Sequence, residues 1–147
     1  MTLIKSLAAA LALLVPVVAT AANPIIVHRD PGCGCCEKWA QQIKAQFGRD
    51  VRVIDDAVRA NFDDRLGVPK NLRSCHTAMV DGLAFEGHVP IADIKRLLAT
   101  RPKGVNGLAV AGMPAGSPGM EMPGMRAQAF DVVTFGPGGR RVFAHYG

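Results

Sequence analysis

Three of the chain's four cysteines are packed into Cys33-Gly34-Cys35-Cys36, and the fourth is Cys75. This spacing does not suit passive cross-links. A Cys35 to Cys36 bridge forces a strained vicinal ring, and a Cys33 to Cys35 bridge a very tight one. Two readings remain open, a redox disulfide between Cys33 and Cys36 or thiolates converging on a metal. Thiolates and thioethers are soft ligands that select Cu(I), thiolates also zinc, whereas imidazole suits Cu(II) or zinc. The sequence supplies all three types. Dithiol exchange needs only two thiols, so the extra cysteine favours metal, and bridging sulfur allows more than one copper ion.

The elements around these residues follow from periodicity and turn chemistry. Ile25-Ile26-Val27 reads as a buried strand leading into the turn Asp30-Pro31-Gly32, and the cysteines lie in that turn. Trp39, Ile43 and Phe47 recur every four residues, so an amphipathic helix starts at the cysteines and ends at Gly48. Free backbone N–H groups and the helix dipole there favour thiolate over thiol. Val51 to Ile54 reads as a second strand, and Val58, Phe62 and Leu66 as a second helical face. Asp81-Gly82 joins Thr77–Val80 and Leu83–Glu86 in a tight hairpin, and Ile91, Ile94, Leu97 and Leu98 mark a third helix that ends before Pro102. Phe130–Phe135 and Arg141–Tyr146 read as a further C-terminal hairpin that brings the preceding loop back across the domain. A CxxC spacing at a strand-to-helix turn, followed by the order β-α-β-α-β-β-α, predicts a thioredoxin-like α/β fold. In such a fold the segment Ser74-Cys75-His76-Thr77 crosses in front of the other three cysteines.

Composition narrows the function classes. The 147 residues are 49% hydrophobic and 20% charged, which suits one globular domain rather than a disordered chain. The formal charge is +5, but basic residues are scattered singly or in pairs such as Arg140-Arg141, so no nucleic-acid partner is expected. No serine sits in a nucleophile elbow and no glycine-rich loop carries the phosphate-binding Lys-Ser/Thr pair, which argues against hydrolase and nucleotide chemistry. Lys5, the apolar run Leu7 to Val18 and Ala19-Thr20-Ala21 read as a secretory signal over residues 1–21, leaving 22–147 as a single metal-binding domain with no membrane span.

The other ligand candidates are methionine and histidine. Met79 falls in a predicted strand and reads as core, whereas Met113, Met120, Met122 and Met125 lie in a Gly/Pro-rich loop within 107–126. Such a loop either supplies thioethers or covers an apolar edge. His76 follows Cys75 directly and is the better placed histidine, with His88 beyond the hairpin less so. His28, at the end of the first strand, reads as a capping residue or a support to the cysteine turn, and His145 as a surface residue. Trp39 reads as core.

Asp30 to Trp39, Leu72 to Ala78, Glu86 to Pro90, Gly107 to Val110, Gly112-Met113-Pro114 and Gly116 to Glu121 together resemble the DUF411 family over nearly all of residues 22–147. The resemblance implies a thioredoxin-like fold and a periplasmic protein with copper held by the clustered cysteines. It also implies a role in copper detoxification or in moving copper between its two oxidation states. Met113 and Met120 lie inside these motifs, so they rank above Met122 and Met125. The expected ligand set is Cys33, Cys35, Cys36, Cys75, Met113, Met120 and His76. The expected partners are copper ions, Cu(I) above all, and other periplasmic copper-handling proteins. The competing readings are a thiol-disulfide oxidoreductase and a passive copper chaperone.

Overall fold

The computed structural model describes residues 22–147, so the expected leader over 1–21 lies outside the described residues. The strands are β1 (Ile25–Arg29), β2 (Val51–Asp55), β3 (His76–Val80), β4 (Leu83–Glu86), β5 (Gly107–Ala109), β6 (Phe130–Phe135) and β7 (Arg141–Tyr146). They form one mixed sheet in the spatial order β2-β1-β3-β4-β5-β6-β7. Three helices accompany it, α1 (Gly34–Phe47), α2 (Arg59–Leu66) and α3 (Ile91–Thr100), with a 3-10 turn at Lys70–Leu72. β1 pairs with β2 and β4 with β5 in parallel, and the other neighbours are antiparallel.

Alternation along the strands decides which helix covers which face. On one face Val27, Ala78, Val80, Phe85, Leu108 and Val132 pack with Trp39 and Ile43 of α1 and Ile94 and Leu97 of α3. Each large apolar side chain buried this way contributes about 2 kcal/mol. On the other face Met79, Ala84, Ala109, Val133 and Phe135 gather with Leu66 of α2 and with Val68 and Leu72. The sheet is therefore covered on both sides, with α1 and α3 opposite α2. The hairpin turn adopts positive φ at both central positions, 48° at Asp81 and 83° at Gly82, as its sequence predicts.

Two expectations are corrected. Val58 is not on a buried helical face, because the Asp56 carboxylate accepts its N–H at 3.0 Å and the helix starts one residue later, leaving Val58 66% exposed. The segment 107–126 is not all loop, because Gly107–Ala109 forms β5, buried between β4 and β6. Among the described residues no helix is long and apolar enough to cross a membrane.

Candidate metal centre

The first strand delivers the cysteines to a helix start, and the local sequence makes that start. Cys33 is the N-cap of α1, its sulfur accepting the Cys36 N–H at 3.3 Å. Arg29 braces the turn, donating to the Cys33 carbonyl at 3.1 Å and to Glu37 at 3.0 Å. Cys33 and Cys36 form a disulfide with Cα atoms 5.4 Å apart, while Cys35 and Cys75 are free thiols. Cys75 arrives from the segment before β3, fastened by the Asp30 N–H donating to its carbonyl at 3.0 Å. Its sulfur lies 3.3 Å from that of Cys36, and the Cys35 sulfur lies 3.4 Å from that of Cys33. The four sulfurs all fall within 4.8 Å of one another.

Two imidazoles extend the cluster. The His88 Nε2 is 3.2 Å from the Cys75 sulfur and the His76 Nδ1 3.7 Å, and these three side chains are buried together. Expectation ranked His76 above His88, and the structure brings both to Cys75, with His88 the nearer to its sulfur. β4 ends at Glu86, and the turn through Gly87, whose N–H donates to the His76 carbonyl at 2.8 Å, folds His88 back over Cys75. The motif Glu86-Gly87-His88 was the available signal. Because a carbonyl only accepts, the Pro118 oxygen 2.8 Å from His88 Nδ1 places the ring proton on Nδ1 and leaves Nε2 with a free lone pair toward sulfur. Burial lowers the pKa of both imidazoles, that of His76 well below its ordinary value, so both are neutral donors. Burial pushes the Cys75 thiol up to about 12 despite the Ser74 hydroxyl beside it. The His76 Nε2 is buried without a hydrogen-bond partner, the kind of orphaned atom that a bound ion explains.

The methionine loop reaches the site through its backbone. Gly119 has φ 83° and sits so close to α1 that a Cβ there would meet the Cys35 carbonyl at 2.7 Å and the Trp39 nitrogen at 3.0 Å. Met120 follows it and is half-buried, whereas Met113 is 52% exposed, as are Met122 and Met125 at 48% and 51%. Trp39 is fully buried beside His76, its indole donating to the Val89 carbonyl at 3.0 Å. His28 does not support the cysteine turn. It pairs with Asp56 at 3.0 Å and stacks on Phe62, since its position on β1 faces α2. His145 is a surface residue paired with Asp131.

A buried ionic network behind Cys75 was not legible in the sequence. Arg59 pairs with Asp63 at 2.7 Å and Glu86 at 3.4 Å, reaches Asp30 at 3.0 Å, and donates to the Ser74 carbonyl. Thr77 lies between Asp63, at 2.6 Å, and Glu86. One hydroxyl proton cannot serve two carboxylates, so one of them must carry its own. Arg59 lies closer to Asp63 than to Glu86, so the protonated one is Glu86, which burial pushes up to about 7 although the Ser74 N–H donates to it. Because folding raises this pKa, the stabilising effect is complete below the unfolded value near 4.5 and is lost as pH rises through 7. Across that window stability is expected to fall by on the order of 3 kcal/mol from this group. Urea unfolding from pH 4 to 8 should show the decline in wild type and a flattened profile in Glu86→Gln, and parallel profiles would refute it.

Fold and site together define a mixed α/β protein with a sulfur-rich cluster that could hold a metal. Residues 72–120 match the family model described as "Protein of unknown function, DUF411". Two solved structures, forms 1 and 2 of a copper resistance protein copG, are each 44% identical to the chain, with TM-scores of 0.77. The alignment covers 85% and 84% of this chain and 98% of each of theirs. The chain belongs to the DUF411 family. No curated protein matches it.

Proposed function

We propose that this chain is an exported, periplasmic copper-binding protein of thioredoxin-like architecture that acts in copper resistance by holding copper on its cysteine cluster and cycling it between Cu(I) and Cu(II). The observation that carries this reading is the gathering of four sulfurs within 4.8 Å, in a chain 44% identical to a copper resistance protein. Cys33, Cys35, Cys36 and Cys75 are the thiolate ligands, with His76 and His88 as neutral nitrogen donors and Met120 ahead of Met113 as thioether. A soft donor set of this kind prefers Cu(I). The reductive half balances within the site: two Cu(II) each take one electron as the Cys33 and Cys36 thiolates join in a disulfide, giving two Cu(I), and an external dithiol reductant restores the thiolates for the next turn. The helix N-terminus favours the thiolates this step consumes.

Purified protein is expected to retain copper against a chelator that strips zinc, and Cys75→Ser to lower copper stoichiometry although it lies outside the CxCC motif. Metal analysis after growth in added copper measures both, and stoichiometric zinc without copper would sink the reading. The disulfide at a helix start favours a second reading, thiol-disulfide exchange as the main activity. That reading predicts full activity in metal-free protein, dependent on Cys33 and Cys36 alone.

A further inference from the structure

Each sulfur of the Cys33–Cys36 disulfide has a free thiol at contact distance, Cys35 beside Cys33 at 3.4 Å and Cys75 beside Cys36 at 3.3 Å. Exchange through Cys35 would close the tight Cys33–Cys35 ring. Exchange through Cys75 meets no such obstacle. The geometry points to a second resting position for the disulfide, in which Cys75 displaces Cys33 and the bond moves from the helix start to a buried Cys36–Cys75 pair.

The step is redox-neutral. The Cys75 sulfur attacks the Cys36 sulfur, a Cys36–Cys75 bond forms as the Cys33–Cys36 bond breaks, and the electron pair leaves on Cys33. Cys75 gives up its thiol proton and half-exposed Cys33 takes one up, so the exchange is proton-neutral overall. The departing Cys33 sulfur already accepts the Cys36 N–H at 3.3 Å at the positive end of α1, which stabilises it as a leaving group. After the shift, Cys33 and Cys35 form a half-exposed dithiol while the oxidising equivalent is stored on Cys36, which is fully buried, and Cys75, which is 7% exposed. The protein would thus offer an accessible thiol pair without first being reduced. Nothing in this step needs copper, so it stands or falls separately from the copper reading.

The test uses metal-free, oxidised Cys35→Ser protein, incubated with excess iodoacetamide and no added thiol, then digested with trypsin. Cleavage places Cys33 and Cys36 on peptide 30–38 and Cys75 on peptide 74–95. Migration yields alkylated Cys33 on a peptide 30–38 cross-linked to 74–95 in monomeric protein, at least tenfold in excess of alkylated Cys75. Label confined to Cys75, with no cross-linked peptide, would overturn the proposal. The wild-type chain gives the same cross-link readout should the variant fold poorly.

Discussion

Oxidised protein is expected to bind Cu(I) at least about 100-fold more weakly than fully reduced protein, because one disulfide removes two of the four thiolate ligands. A four-ligand structural zinc site is worth roughly 10–16 kcal/mol, and by that scale a hundredfold loss needs only about 3 kcal/mol. Half the sulfur donors should therefore matter by at least that much. The argument holds for either disulfide position, since each leaves two free thiols. Competition with a Cu(I) chelator under anaerobic conditions, with thiols counted before and after loading, measures the difference. Two free thiols in the metal-free oxidised protein and four after reduction are expected. Equal affinity in the two states would disconnect the cysteines from copper and favour a site built on histidine and methionine.

Truncating Arg59 should destabilise the fold by about 3–5 kcal/mol, the range for removing one partner of a buried ion pair. Arg59→Ala leaves Asp63, 1% exposed, with Thr77 and a distant Arg73 at 3.9 Å, and removes the charge facing Glu86. It also frees the Ser74 carbonyl, so Cys75 should lose its fixed place against Cys36. Urea unfolding gives the first effect, and the rate of Cys75 alkylation in reduced protein gives the second. A loss below 1 kcal/mol with unchanged Cys75 reactivity would show that the network is incidental. Arg59→Lys should recover part of the stability but not the Ser74 contact, because an ammonium is a point charge rather than a fork.

Much of the frame was legible in the residues themselves. The helix from the cysteines to Gly48, the Asp81-Gly82 hairpin and the C-terminal hairpin at 130–135 and 141–146 stand where period and turn chemistry put them. These features depend on neighbours a few positions apart, which sequence records directly. Val58 escaped because a single side chain, Asp56, outcompeted the helical period at its start. β5 escaped because three residues carry too short a pattern to announce a strand, and only the open edges of β4 and β6 define it.

The site divides the same way. CxCC at a helix start is a local fact, and with it comes the expectation of reactive, metal-seeking sulfur. That Cys75 meets Cys36 at 3.3 Å depends on the antiparallel register of β3 against β1, which sets a contact across 39 positions. His88 rather than His76 lies nearer the Cys75 sulfur because the turn at Gly87 folds it back, and its tautomer is chosen by a carbonyl of the methionine loop 30 residues further on. The Arg59 network joins α2, the β1 turn, β3 and β4, four segments with no shared period. The sequence by itself determined which chemistry is available and where the helix dipole would act on it. Only the tertiary structure decided which sulfurs and nitrogens meet, because distances between remote residues are set by strand register and packing, which no local pattern encodes.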